Sequence, residues 1–213
     1  MKLVMLNPNT SSRMTDAMVL ALRGALPTSV ELVGMTAARG VPVIDTAERF
    51  AIGAATALDM LAEVPPDADA ILLACFGDPG LLSLRRQAAV PVIGMAEAAA
   101  RAARRAGQRF AIVTAGSGWV PLLRDAMRAL EADDLLVDVY ALPGNGADLQ
   151  RDPAAFRDGV AALSRQAADD GARALVLGGA AFAGLDFAID ARLQRIDVMN
   201  AIADALSLLG SDA

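Results

Sequence analysis

The chain has no histidine, a single lysine and a single cysteine among its 213 residues. Each scarcity removes a class of chemistry. Without histidine, Ser-His-Asp and Cys-His nucleophiles, histidine-ligated zinc and imidazole acid–base work are excluded. The lone lysine, Lys2, opens the first apolar segment, whereas a Schiff base or a pyridoxal phosphate linkage needs a lysine inside a pocket. One cysteine permits no internal disulfide, which fits a reducing compartment. No Walker loop and no Gly-x-Gly-x-x-Gly follows a strand segment, so nucleotide binding has no signature. Asp, Glu, Tyr and one thiol remain for proton chemistry.

Basic charge is also short. A formal charge of −6 and a pI near 4.7 leave no clustered cationic face of the kind a phosphate backbone needs, so nucleic acid is not an expected partner. The densest basic group, Arg101, Arg104 and Arg105, has the spacing of a solvated helix face. No apolar run reaches membrane-spanning length, and the first apolar segment is too short for a signal peptide. A soluble cytoplasmic protein is expected. Aromatics are few at 4%, yet 55% of residues are apolar, ample for a buried core in one α/β domain or two small lobes.

What is present is organised around Ala70-Ile71-Leu72-Leu73-Ala74-Cys75-Phe76-Gly77-Asp78-Pro79-Gly80. A continuous apolar run stops at the only cysteine and passes through a turn into Leu81-Leu82-Ser83-Leu84. That pattern is a strand buried on both faces feeding a helix, with Cys75 at the carboxyl end of the strand. Ligands bind there in open α/β sheets. Asp78 and Pro79 fit an N-cap and first helical residue, which would aim a positive helix end at the thiol and lower its pKa. The alternative for a lone cysteine is a small buried hydrophobe.

Elsewhere the two periodicities alternate. Strands are expected at 3–6, 30–34, 70–74, 91–94, 109–113, 135–141, 173–177 and 195–198. Helices are expected at 13–26, 46–63, 96–106, 121–131, 153–170 and 199–209, with a polar loop over 143–152 and one further helix before Arg195. Strands and helices in alternation imply a parallel sheet with helices on both faces. A weak internal repeat is visible as well. Asn7, at one strand end, precedes Cys75 by 68 residues, and Thr114, in the equivalent place, precedes Gly179 by 65. Two pseudo-symmetric lobes follow, residues 1–95 with 199–213 carrying Cys75 and residues 96–198 carrying Gly179, with a cleft between them.

Several segments together resemble the aspartate/glutamate/hydantoin racemase superfamily, nearest its hydantoin racemase branch. They are Asn7-Pro8-Asn9-Thr10-Ser11 with Met14-Thr15, Thr36-Ala37-Ala38-Arg39-Gly40, Ala74-Cys75-Phe76-Gly77-Asp78-Pro79-Gly80, Val113-Thr114 with Trp119-Val120-Pro121, and Leu177-Gly178 with Ala183-Gly184. The resemblance implies two similar α/β lobes, a homo-oligomer, no cofactor and no metal. It also implies two facing cysteines, one taking a proton beside a carbonyl and one delivering a proton to the opposite face. The first maps onto Cys75; the second falls at 179, where this chain has Gly179.

Inversion through a planar carbanion needs a donor opposite the base, and Ala180, Ala181 and Phe182 cannot transfer a proton. The leading expectation is a racemase or isomerase acting on a small hydantoin or amino-acid-like carbonyl compound, with Cys75 as thiolate base. A single-cysteine decarboxylase, a cis–trans isomerase and a non-catalytic small-ligand binder are the alternatives. Asn7, Asn9, Thr10 and Ser11 are expected to bind a carboxylate or imide oxygen or to cap a helix, and Phe76 and Gly77 to offer backbone donors. Thr114 and Ser117 are expected as donors of the second lobe, Trp119 as a wall, and Gly178, Gly179 and Ala180 as the close backbone approach. Asp45 and Asp197 read best as caps.

Overall fold

The computed structural model describes residues 1–209; residues 210–213, expected to belong to the first lobe, lie outside them. Two four-stranded sheets, each wholly parallel, carry helices on their faces. The first has the order β2-β1-β3-β4, from Lys2–Asn7 (β1), Glu31–Thr36 (β2), Ala70–Leu73 (β3) and Val92–Gly94 (β4). The second has the order β6-β5-β7-β8, from Phe110–Ala115 (β5), Leu136–Leu142 (β6), Ala174–Leu177 (β7) and Gln194–Ile196 (β8). The two orders are one topology used twice. This is the two-lobe α/β architecture that the alternation and the repeat imply.

The central strands β3, β5 and β7 are buried at every residue, which is why they read as unbroken apolar runs. The helices follow the 3.6 period instead. Ser12–Ala25 (α1) starts at Ser11, whose hydroxyl accepts the Met14 N–H, and buries Met14, Met18 and Leu22. Ala47–Asp59 (α2), capped by Thr46, tightens into a 3₁₀ turn over Met60–Glu63. Leu81–Gln87 (α3) and Met95–Ala106 (α4) flank β4. The second lobe adds Trp119–Ala129 (α5), Gly146–Arg151 (α6) and Arg157–Asp169 (α7), and Val198–Leu209 forms α8.

Helix α8 returns to pack against α1 and α4. The small buried face of α4, with Ala96, Ala99, Ala100 and Ala103, lets it approach closely. One apolar cluster therefore runs through both sheets, from Leu3 and Leu72 to Ile112 and Val176, while a second lies on the other flank of the first sheet around Leu6, Ile71 and Leu84. Each fully buried Leu, Ile or Phe contributes about 1.5–3 kcal/mol relative to exposure. Among the described residues no helix is long and apolar enough to cross a membrane.

Two segments differ from the sequence expectation. The polar stretch after β6 contains α6, because Asn145 and Asp148 form a reciprocal capping box at its start. No α-helix lies between β7 and β8; a 3₁₀ turn, Ala180–Phe182, leads into an irregular connection. Gly179 and Gly184, at φ 153° and 72°, bracket that turn in conformations that a helix does not use.

Candidate functional site

The strand register makes Cys75 and Gly179 equivalent. Leu6 of β1 lies opposite Leu73 of β3, and Val113 of β5 opposite Leu177 of β7. Ala74 N–H then donates to Leu6 C=O at 2.9 Å and Gly178 N–H to Val113 C=O at 2.8 Å, so each ladder ends alike and the next residue is Cys75 in one sheet and Gly179 in the other. Both line one cavity of about 50 Å³ at the carboxyl ends of the strands.

Two of the larger hollows lack the cysteine. One of about 350 Å³ lies between α1 and α8, where Arg195 pairs with Asp186 at 2.7 Å and Asp197 accepts the Asn200 N–H at 2.9 Å, capping α8. The other, about 400 Å³, is an apolar groove between α2, α3 and α5. In the small cavity Cys75 is the only ionisable side chain of the lining.

Cys75 is 6% exposed and starts a tight turn in which Asp78 N–H donates to its carbonyl at 3.0 Å. Gly77 takes φ 115° and Asp78 φ 56°, so the chain reverses through two left-handed residues before α3. Here the structure corrects the sequence reading. α3 begins at Leu81 with Gly80, at φ 76°, as the residue before it, and Asp78 does not cap it. The Asp78 carboxylate instead accepts the N–H groups of Ala96 and Glu97 at 3.0 and 2.8 Å, in the first turn of α4.

The electrostatics follow from that placement. Burial pushes the Cys75 thiol well above its ordinary range, and the Asp78 charge pushes it further the same way. The site therefore holds a neutral thiol, not the dipole-activated thiolate expected from the sequence. Burial also raises Asp78, to about 7, against its two backbone N–H bonds and with the charge of Glu97 adding to the rise. Burial would raise Glu97 too, but Arg85 at 2.5 Å and Arg101 at 3.0 Å outweigh it and hold that carboxyl below its usual value.

The loop after β1 supplies the roof. Asn7 is fully buried, its Nδ2 donating to Asn9 Oδ1 at 3.1 Å, to Ser11 C=O at 3.2 Å and to Thr15 Oγ1 at 2.9 Å. Those donors are spent inside the fold, and Asn7 does not line the cavity. Asn9 does; its Oδ1 also accepts the Ser11 N–H at 2.9 Å, leaving Nδ2 only a weak contact to Met14 Sδ at 3.7 Å. Thr10 bonds through its backbone N–H to Val41 C=O at 3.0 Å, and Ser11 is the α1 cap; neither reaches the cavity.

On the opposite wall stand Thr114, Gly178, Gly179 and Ala180. Thr114 is 2% exposed. Gly178 admits no side chain, since a Cβ would lie 2.5 Å from Ile112 Cγ2 and 2.7 Å from Phe76 Cε1. Phe76 thus reaches from the cysteine turn into the second lobe and lines the cavity on the way. Gly77 faces the apolar groove instead, and Ser117 is exposed outside the cavity. Trp119 is a cavity wall held edge-to-face on Phe50, ring centroids 6.2 Å apart.

Val43, Ile44, Met14, Gly146 and Ala181 also line the cavity, beyond the site residues expected from the sequence. Nothing local marks Val43 and Ile44. They are brought over the site because their loop packs on the second lobe, so closely that a Cβ on Gly118 would lie 2.1 Å from the Asp45 carbonyl oxygen. Asp45 itself is no cap; its carboxylate pairs with Arg49 at 2.7 Å, and Thr46 caps α2.

Two parallel α/β lobes joined at a small cysteine-bearing cavity define a pseudo-symmetric, cleft-site α/β protein. Residues 3–206 match the family model described as Asp/Glu/Hydantoin racemase, and the chain belongs to that family. It is 32% identical over 190 residues to a hydantoin racemase of Rhizobium meliloti, covering 87% of this chain and 78% of that protein. An allantoin racemase from Klebsiella pneumoniae superposes with a TM-score of 0.86 at 30% identity, over 98% of this chain and 88% of the other. A glutamate racemase from Campylobacter jejuni subsp. jejuni shares the fold, with a TM-score of 0.65 at 17% identity, over 98% and 85% of the two chains. Racemase-type isomerisation is the function these relatives support.

Proposed function

We propose that this protein is a cofactor-independent racemase or isomerase of a compact carbonyl compound with an acidic α-hydrogen, of hydantoin or amino-acid type, and that Cys75 moves the proton. The observation that carries this reading is that Cys75 is the sole ionisable side chain on a cavity where the strand ends of both sheets meet. The Asn9 amide and the Thr114 hydroxyl are neutral donors suited to an oxygen that gains charge as the α-carbon loses its proton. In the forward step Cys75, which rests as a thiol, first gives its proton to water in the cavity; the resulting Sγ⁻ takes the α-hydrogen, the C–H electron pair moves into the enolate, and Sγ–H results. Return of a proton to the other face needs a second donor. With Gly179 at the equivalent position, water in the cavity fills that part.

One observation favours a second reading. A thiol that burial keeps protonated is better suited to giving a proton than to taking one. In a malonate-type substrate the C–C bond breaks, carbon dioxide leaves, and the resulting enolate takes the Sγ–H proton; the thiolate then recovers a proton from water. Incubation of an enantiopure 5-substituted hydantoin in deuterated water separates the cases. Loss of optical rotation with deuterium uptake supports the racemase. Exchange with retained configuration means a one-sided base, and carbon dioxide release from malonates selects the decarboxylase. Neither exchange nor release leaves a ligand-binding relative and sinks the proposed chemistry.

A further inference from the structure

Asp78 stands two residues beyond Phe76 with three features that no requirement of its own helix explains. It is a non-glycine residue at φ 56°. It is 9% exposed, with both carboxylate oxygens bonded to the first turn of a different helix. The space it occupies is reserved for it, because a Cβ at Gly94 would lie 2.4 Å from Asp78 Oδ2. A left-handed conformation is uncommon at a non-glycine residue, Asn and Asp adopting it most readily, and the surroundings hold it here. Here the surroundings are the α4 amides on one side and the Cys75 carbonyl, which accepts the Asp78 N–H, on the other.

We propose that Asp78 is a positioning residue for Cys75: its carboxylate ties the thiol-bearing turn to α4 and, by occupying that helix end with its own negative charge, keeps the sulfur in the proton-carrying form until substrate enters. This rests on the reading of Cys75 as the proton-transferring group. A helix N-terminus otherwise favours an anion, and an unoccupied one near a cysteine would draw the thiol towards thiolate. Asp78 neutralises that end and repels a second anion.

The other charges around Asp78 leave it as the controlling group. Glu97, on α4, is paired with Arg85 from α3 and with Arg101. Asp125, from α5 across the apolar groove, is exposed and paired with Arg128. Cys75 itself is the remaining titratable neighbour. As Asp78 ionises near 7, loss of the Cys75 proton becomes harder, so the two sites titrate as a coupled pair.

Because the chain has one thiol, alkylation by iodoacetamide, followed by mass, reports Cys75 alone. In the wild-type protein the logarithm of the rate is expected to rise with pH, flatten above about 7 as Asp78 ionises, and rise again. In Asp78→Asn, with native circular dichroism, the plateau is expected to vanish and the rate in the alkaline range to increase about tenfold or more, one pKa unit of repulsion removed. A wild-type profile with one unbroken slope overturns the proposal, as does a folded Asp78→Asn protein whose rates stay within about twofold of wild type. If the variant does not fold, the wild-type profile decides. No turnover is needed, so a Cys75→Ser protein that still racemises would sink the proposed chemistry and leave this test intact.

Discussion

Asp78 and Gly94 share one volume: a side-chain carbon on residue 94 would fall 2.4 Å from Asp78 Oδ2 and 2.7 Å from its Cγ. The neighbour is a carboxyl held by two amides, so it cannot swing aside cheaply. Gly94→Ala is expected to lower stability by about 1–3 kcal/mol, the cost of overpacking, read as a lower urea midpoint at unchanged slope. A neutral result would mean that the carboxylate is not anchored on α4.

Gly178 and Gly179 should answer differently to substitution although they are adjacent. Gly178→Ala drives a methyl into Ile112 and Phe76 and is expected to destabilise by about 1–3 kcal/mol, with loss of activity as Phe76 shifts. Beside Gly179 the nearest atom to an added Cβ is Phe182 Cδ2 at 3.5 Å, ordinary contact, so the obstacle there is only φ 153°. Gly179→Cys is expected to fold at a strain cost of about 1–3 kcal/mol and to convert any exchange with retention into racemisation. Deuterium uptake and optical rotation measured together on the two variants check this.

The buried thiol predicts an alkaline weakness. Its pKa is raised in the folded state, so the unfolded chain loses that proton first once pH exceeds the ordinary thiol value of 9.0. Stability from this group is full below that pH and falls above it, by about 1.4 kcal/mol per pH unit. Cys75→Ser should lack that slope. Tyr140, whose hydroxyl donates to Asp170 at 2.6 Å, is raised as well and gives both proteins a common background. Parallel stability–pH curves for wild type and Cys75→Ser would refute a desolvated thiol.

Asn7 is expected to matter through the loop it holds. Asn7→Ala removes its bonds to Asn9, Ser11 and Thr15, which keep other partners, at about 0.5–1.5 kcal/mol per lost bond. The expected result is a fall in thermal midpoint with a rise in KM, since Asn9 loses one of the bonds that hold it. A changed KM at unchanged stability would instead mark Asn7 as a substrate contact.

The architecture was legible because its signals are local. Ala174–Leu177 and Ala70–Leu73 are apolar on both faces, and Met14, Met18 and Leu22 recur at one helical spacing. The capping box of Asn145 and Asp148 is equally local but lies hidden within a polar stretch. The missing helix before β8 is another matter: Ala180-Ala181-Phe182 suits a helix by composition, and only the backbone of Gly179 and Gly184 turns it aside. For the site, Cys75, Phe76, Asn9, Thr114 and Trp119 could be nominated by their positions at strand ends, while Val43 and Ile44 are there because their loop packs on the start of α5.

By itself, then, the amino-acid order determined the alternating elements, the doubled topology and the place of one sulfur at a strand end, for these follow from side-chain periodicity and turn residues a few positions apart. Only the tertiary structure decided the protonation state of that sulfur and which helix Asp78 serves. Both depend on groups far along the chain: the amides of Ala96 and Glu97, the vacancy at Gly94, and walls contributed by a second sheet. Desolvation and charge act through space, and no spacing of letters records them.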